Sequence, residues 1–594
     1  MKTDMRNFKK LCLMVAVSFA SVACVDNDPE IQTFPNPDVD FTYSVSGEEY
    51  LVDYYVVSSI QFTNISEKTG TVTWNFGDGN TSNEPNPVHK YAKAGLYKVT
   101  LTIDVNDDES YSKTYPILIY DIVPKLSIAE QSDSIIEINK TTMSFNLALP
   151  NPEALPVEYI WTFPEGTTYA DGSEVPNNQF VGHGKKDDVT GEYVIEYPGE
   201  LKFKHIGSQR IDIQTIFDTR ENGEKRKLQD IYLNVQVGCS YEAPTLYYAV
   251  KDGNIKALKI IDETKVPEGT KVLPFDMGVS SGSMPMNICY GAYDNQQFIY
   301  ILDAGKQYYY VNDANSVLGD GKITAMGVDG SNVNTVVSNE GQAAFMDPYC
   351  GFVYNGELYY SDRGNGVSKV ALNVRGQKET QGKDVAFRAD YVVQNNWVTY
   401  YNNGIGYGAI TIGLLKDSKG VWWWGKNFSG NGIYRFKDSD IYGSQTEAEE
   451  AFKSNGGHAY GKLLSGIQLR TFTIDETRKA LYVWRIEPTT SGFYRYDLPG
   501  DQDATSATKF TNCVKMAADP INTTQNEQVH TTQFALDETS GRVYFCFRAE
   551  SGDDSGIGTG IVYYDPETKK CQRYGVTDDA GLGITINPTL SKLF

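Results

Sequence analysis

Histidine is scarce: the chain has five in 594 residues. Only His458 and His530 fall in its C-terminal half beyond residue 240. No HExxH metalloprotease signature, no G-x-S-x-G nucleophile elbow and no Asp-box repeat occurs, so nothing nominates a metal hydrolase or a serine hydrolase. Basic residues are outnumbered, 53 Lys and Arg against 76 Asp and Glu, a net charge of -23. Nucleic-acid binding needs clustered cations for phosphates, so that class of partner is excluded. Eight cysteines are present but none stands in a CxxC or other metal-ligand spacing, and no metal or cofactor is expected. Widely spread cysteines leave disulfides and buried free thiols both open. Long stretches rich in Ala, Leu, Glu and Lys are missing, while Gly (54), Tyr (41) and Phe (26) are plentiful. That balance favours strands and turns over helices.

The hydrophobic run LCLMVAVSFASVA ends at Ala23 and follows Lys2, Arg6, Lys9 and Lys10. It is shorter than the roughly 20 apolar residues that a membrane-spanning helix requires, and has the shape of a secretory signal peptide. Ser21-Val22-Ala23-Cys24 resembles the bacterial lipobox, with Ser21 where leucine is more usual. The resemblance implies acylation of Cys24, hence a lipid anchor, with residues 1–23 as signal and 24–37 as a proline-containing linker. The acidic stretch Val25-Asp26-Asn27-Asp28-Pro29-Glu30 resembles the surface-export signal of Bacteroidetes lipoproteins.

Residues 38–122 hold the most specific motif: Trp74-Asn75-Phe76-Gly77-Asp78-Gly79, then His89, Tyr91, Gly95, Tyr97, Val99 and Leu101. TVTWNF alternates as a half-buried strand, and Gly77-Asp78-Gly79 suits a tight turn. The pattern resembles the PKD domain, an immunoglobulin-like sandwich, which implies a spacer or interaction module with Trp74 in its core. Residues 124–238 echo it, through Tyr159-Ile160-Trp161-Thr162-Phe163 and the strand that begins at Gly207, although the Gly-Asp-Gly turn is missing.

From residue 240 a strand motif recurs six times, at Leu246 (LYYAVK), Phe298 (FIYILD), Leu358 (LYYSDR), Val421 (VWWWGK), Leu481 (LYVWRI) and Val543 (VYFCFR), spaced 52 to 63 residues apart. Repeated four-stranded units that cannot bury both faces alone pack radially. The pattern is similar to NHL-type and YWTD-type propellers. The last residues, Gly583 to Phe594, look like the first strand of a further unit, and the unit at Leu246 lacks that strand. The expectation is that the C-terminal strand completes blade one. The expected fold is therefore all-β: PKD-like sandwich domains followed by a six-bladed β-propeller over 240–594. A seventh blade built around Gly321–Met326 is the alternative.

Gln394-Asn395-Asn396-Trp397 with Tyr400 and Tyr401 forms an aromatic and amide-rich connection suited to stacking on and hydrogen-bonding a sugar. Trp422, Trp423, Trp424 and Trp484 lie within the strand motif and are expected in the core. Aligning the repeats brings Lys251, Arg363, Lys426 and Arg548 to equivalent places, with Arg485 one place earlier in its blade and Asp303 in the second, and such a cationic ring would favour an anionic ligand. Lipobox, PKD-like modules and propeller together resemble Bacteroidetes surface lipoproteins that accompany TonB-dependent transporters. That resemblance implies an outer-membrane, cell-surface protein that captures a glycan or peptide without catalysis. The alternatives are a propeller lyase or glycosidase, and a protein-interaction subunit of an outer-membrane uptake complex.

Overall fold

The computed structural model describes residues 38–45, 48–49, 53–56, 58–129, 136–151, 153–218, 225–239, 242–305, 320–338, 348–362, 366–378, 387–388, 410–427, 431–440, 446–447, 450, 463–486, 492–498, 507–509, 532–549 and 556–591. Cys24, Arg363, Trp397, Tyr400 and Tyr401 lie outside them, as do His458 and His530. Among the described residues no helix is long and apolar enough to cross a membrane. The chain divides into two compact units. The first is residues 1–124 with 149–155 and 218–226, and the second is the remainder.

The first unit holds two facing sheets. One is ordered Glu48–Glu49, Phe41–Val45, Ile60–Asn64, Val88–His89. The other is ordered Tyr54–Tyr55, Glu109–Tyr120, Gly95–Asn106, Thr71–Asn75, Thr81–Ser82. Trp74 is fully buried against Phe41 and Phe62, and its indole N–H donates to the Glu84 carbonyl at 3.1 Å. His89 stacks on Phe76 with ring centroids 4.0 Å apart and reaches the Asp78 carboxylate at 2.8 Å, so it packs the turn. Gly77 has φ +81°, and a Cβ there would sit 2.6 Å from the Lys98 carbonyl oxygen, which is why that turn demands glycine.

The second unit begins with another sandwich. Its main sheet pairs Val157–Thr162 with Gly207–Asp218. Trp161 stands opposite Ile213, six residues beyond Gly207, just as Trp74 stands opposite Leu101, six residues beyond Gly95. This shared register makes the two sandwiches variants of one plan, and Trp161 is likewise fully buried.

Six sheets follow, and they are the propeller blades. Blade 2 is typical: Pro285–Tyr293, Gln296–Asp303, Lys322–Gly327 and Asn334–Ser338, each antiparallel to the next. Its first hairpin turns through Asp294 and Asn295, both at positive φ (49° and 60°), the backbone of a two-residue type I′ turn. Lys322–Gly327 is this blade's third strand, not the start of a further blade, and the described residues form six blades.

All six LYY-type motifs are second strands, at Ala243–Val250, Gln296–Asp303, Glu357–Asp362, Trp422–Asn427, Ala480–Arg485 and Val543–Phe547. Each lies between two neighbouring blades and is buried on both faces, which explains continuous apolar runs where the sandwich strands alternate. Five apolar clusters each join two consecutive blades. Trp422, Trp423, Trp424 and Trp484 belong to these clusters and are all buried, as expected.

The C-terminal strand Gly581–Ser591 pairs antiparallel with Ala243–Val250 and becomes the innermost strand of blade 1. The six innermost strands then touch in succession round the axis, the last closing on the first. Two lysines of the third strand of blade 1, Asn254–Lys259, fasten this closing strand. Lys256 binds the Asp579 carboxylate at 2.9 Å, just before the strand begins. The buried Lys259 ammonium donates to the Ala243 carbonyl (3.2 Å), Thr245 Oγ1 (2.9 Å), the Ser591 carbonyl (3.0 Å) and Ser591 Oγ (2.5 Å). Cys239, Cys289, Cys350 and Cys546 are buried thiols, whereas Cys571 is in a disulfide.

Candidate functional site

In every blade the innermost strand runs from one end of the disc, here called the far end, to the other, the near end. The chain arrives from the second sandwich at the near end, where Ala243 pairs with Ser591. The second strand returns to the far end. Connections from second to third strand, and from each blade to the next, therefore leave the far ends of the strands that they join.

The proposed cations sit by this topology at one end. Lys251 follows Val250, Arg548 follows Phe547, and Arg485 closes the second strand of blade 5 opposite Gly492. Lys426 pairs with Gly432 at the same level of blade 4. Blade 2 departs from the pattern with Asp303, whose buried carboxylate accepts the Met284 and Gly305 amides at 2.8 and 3.0 Å. Burial raises the pKa of that carboxyl. Arg485 does not simply project from the disc: its guanidinium lies 4.6 Å from the Tyr494 ring centroid and 3.4 Å from the Tyr496 hydroxyl. The segment that carries Trp397, Tyr400 and Tyr401 joins Phe387–Arg388 to Ile410–Lys416, two strands whose flanking ends lie at the far end.

Two cavities lined by described residues bear on the site. One is the axial channel, about 220 Å³, lined from all six innermost strands. Gln533 crosses it: its Oε1 accepts the Ile288 and Ile584 amides, both at 2.9 Å, and its Nε2 donates to the Ile288 carbonyl at 2.7 Å. The side-chain amide thus staples blade 6 to blades 1 and 2, and the channel is too small for a drug-sized ligand. The other is a cleft of about 460 Å³ between blades 1 and 2, with Tyr247, Phe275, Met277 and Val328 as its wall and Asn295 and Gln297 at its rim. It lies at the near end, by the turn Asp294–Asn295, away from the cations. Neither Gln533 nor this cleft was foreseen from the sequence.

The profile of the PKD domain family matches the stretch of the first sandwich from residue 53 to residue 117. Residues 53–117 are a PKD domain. Collagenase ColA of Bacillus cereus is 38% identical over 79 residues, which are 13% of this chain and 8% of that protein. The pre-pro-metalloprotease PrtV of Vibrio cholerae is 33% identical over 93 residues, 16% of this chain and 10% of that protein. The chain thus spans a tenth or less of these relatives, whose activities are statements about them.

Among solved structures, a quinonprotein alcohol dehydrogenase-like protein of Bacteroides thetaiotaomicron is 15% identical with a TM-score of 0.36, covering 77% of this chain and 96% of that one. A protein of unknown function from Bacteroides caccae is 10% identical with a TM-score of 0.32, covering 58% and 100%. BamB of Moraxella catarrhalis is 10% identical with a TM-score of 0.24, covering 62% and 91%.

Proposed function

We propose that this chain is a lipid-anchored cell-surface protein, tethered through Cys24 to the outer membrane, that captures a glycan or, as second choice, a peptide at the far end of its propeller without chemically altering it. The observation that carries the reading is topological. The chain enters the disc at the near end, at Ala243, whereas the connections between blades leave its far end, so those connections are free of the entering chain and offer a continuous loop surface. Lys251, Lys426, Arg485 and Arg548 at that end favour an anionic ligand. The aromatic and amide residues around Trp397 favour a sugar.

The test is a glycan and glycosaminoglycan array probed with the mature full-length protein, beside Trp397→Ala and Arg363→Ala variants. Retention of intact oligosaccharide, weakened by either substitution while the melting temperature stays unchanged, is the expected result. Shortening of a polysaccharide by the wild type would replace capture with catalysis. Co-purification with an outer-membrane transporter, without affinity for any arrayed glycan, would replace the glycan with a protein partner.

A further inference from the structure

Backbone bonds join the second sandwich to the propeller. Ile206 pairs with Val272 of the long connection in blade 1. The Ile206 amide donates to the Lys271 carbonyl at 3.0 Å, and the Leu273 amide donates to the Ile206 carbonyl at 2.7 Å. The Val272 carbonyl meanwhile accepts the Val576 amide of blade 6 at 2.8 Å. The sandwich is therefore fixed where blade 6 meets blade 1, at the seam of the ring. Gly207 is necessary there: its φ is +111°, and a Cβ would stand 2.1 Å from the Leu273 carbonyl oxygen.

His205 lies in this joint and is 5% exposed. Its Nδ1 accepts the Lys271 amide at 3.1 Å, which places the proton of the neutral ring on Nε2. Nε2 is buried without a partner. The charged groups that face the ring are Lys271 from the propeller connection, Glu165 from the turn after Thr162, and the adjacent Lys204. Glu165 is exposed and pairs with Lys271 Nζ at 2.9 Å. A second proton on this imidazole must go onto Nδ1, where it meets the Lys271 N–H head on. The acceptor is lost, and a charge is created in a buried place beside two ammonium groups.

We propose that His205 makes the joint between the second sandwich and the propeller acid-releasable. Neutral, it holds the connection around Lys271 against the sandwich. Protonated, it opens that contact and frees the disc to reorient on its stalk.

Burial lowers the pKa of His205 below its ordinary 6.5, with Lys271 adding to the effect. A folded form that binds the proton less readily than the open form is favoured in full above pH 6.5. It loses ground as pH falls below that value, and the loss levels off once pH passes below the folded-state pKa. Each unit of depression corresponds to a tenfold change in the closed-to-open ratio.

The test is hydrogen exchange of the full chain at pH 7.5 and pH 5.0, corrected for intrinsic rates and read at the amides of Ile206, Lys271 and Leu273. The expected result is several-fold loss of protection at pH 5.0, with blade 4 as an unchanged reference. His205→Gln supplies an acceptor that does not titrate, so protection should become independent of pH. Glu165→Gln should leave the pH response intact. Equal protection at both pH values, or a response that survives His205→Gln and disappears in Glu165→Gln, overturns the proposal. If His205→Gln does not fold, the His205 ring titration followed by NMR decides: a midpoint at or above 6.5 overturns it.

Discussion

A chain ending at Gly581 removes the strand that closes the ring, and the structure sets the size of the effect. Leu582 and Ile584 are 4% and 0% exposed, and burying such side chains contributes about 1.5–3 kcal/mol each. The pairs Thr245–Asn587, Leu246–Ile586, Tyr247–Thr585 and Tyr248–Ile584 disappear, at about 0.5–1.5 kcal/mol net for each hydrogen bond. Lys259 loses the Ser591 carbonyl and hydroxyl, and Gln533 loses the Ile584 amide. The sum reaches the whole net stability of an ordinary domain, about 5–15 kcal/mol. The truncated chain is therefore expected to lose the cooperative thermal transition of the propeller, read by tryptophan fluorescence, since Trp422, Trp423, Trp424 and Trp484 all lie there. It should also be cut within the blades under limited proteolysis that spares the full chain. A graded version is Ile584→Ala, which should cost about 2–5 kcal/mol. An unchanged melting temperature and proteolytic pattern in the truncated chain would refute the ring closure.

Lys259→Met should destabilise the propeller by about 1–3 kcal/mol near neutral pH, because it leaves the buried Ala243 carbonyl without this donor and removes the tie to Ser591. Burial pushes the Lys259 ammonium down to about 8 from the ordinary 10.5. The unfolded chain thus binds more protons between those values, and this group's contribution to stability rises with pH across that window. Urea midpoints of wild type and variant at pH 7.5 and 9.5 should show the wild type gaining on the variant, and a constant difference would contradict the assignment. Gly77→Ala should cost the first sandwich about 1–3 kcal/mol, since alanine must adopt φ +81° against the Lys98 carbonyl. Hydrogen exchange over Gly95–Asn106 reads this locally, and unaltered protection would show that the turn relaxes freely.

What was legible in the sequence follows from how each residue is buried. Second strands are enclosed on both faces, so they appear as unbroken apolar words such as VWWW and VYFC, which can be counted along the chain. The missing first strand of the unit at Leu246 and the surplus one from Gly583 are complementary, and together they imply the closure. The PKD motif was legible because turn glycines and the tryptophan strand lie close in sequence. Gln533 was not, since its partners are 245 and 51 residues away and an isolated glutamine in a polar stretch carries no pattern. Lys259 was hidden for a similar reason: nothing local in IKALKII marks it, because its partner Ser591 is 332 residues distant. The second sandwich was read as a spacer. Its bonds to the connection around Lys271 join it to the disc, and they depend on backbone groups that every residue has.

The polar contacts of longest sequence range gather at one seam. Lys259 to Ser591, Lys256 to Asp579 and the Ile261 amide to the Tyr574 hydroxyl span 332, 323 and 313 residues. Each blade is joined to the next by the chain itself, blade 6 to blade 1 through residues 575–580. Inside blade 1, however, no short connection ties Gly581–Ser591 to Ala243–Val250, so the seam must recover the entropy of closing a loop of several hundred residues. That entropy grows only with the logarithm of loop length, at about 0.6 kcal/mol per doubling, so a few well-made directional contacts are enough to offset it. Directional contacts also fix register, which apolar packing specifies less strictly. The second sandwich is bonded to this same seam through Val272, whose carbonyl reaches Val576 of blade 6. A ring sealed there is also held at a defined angle to its stalk, and loosening of the joint at His205 would act on both.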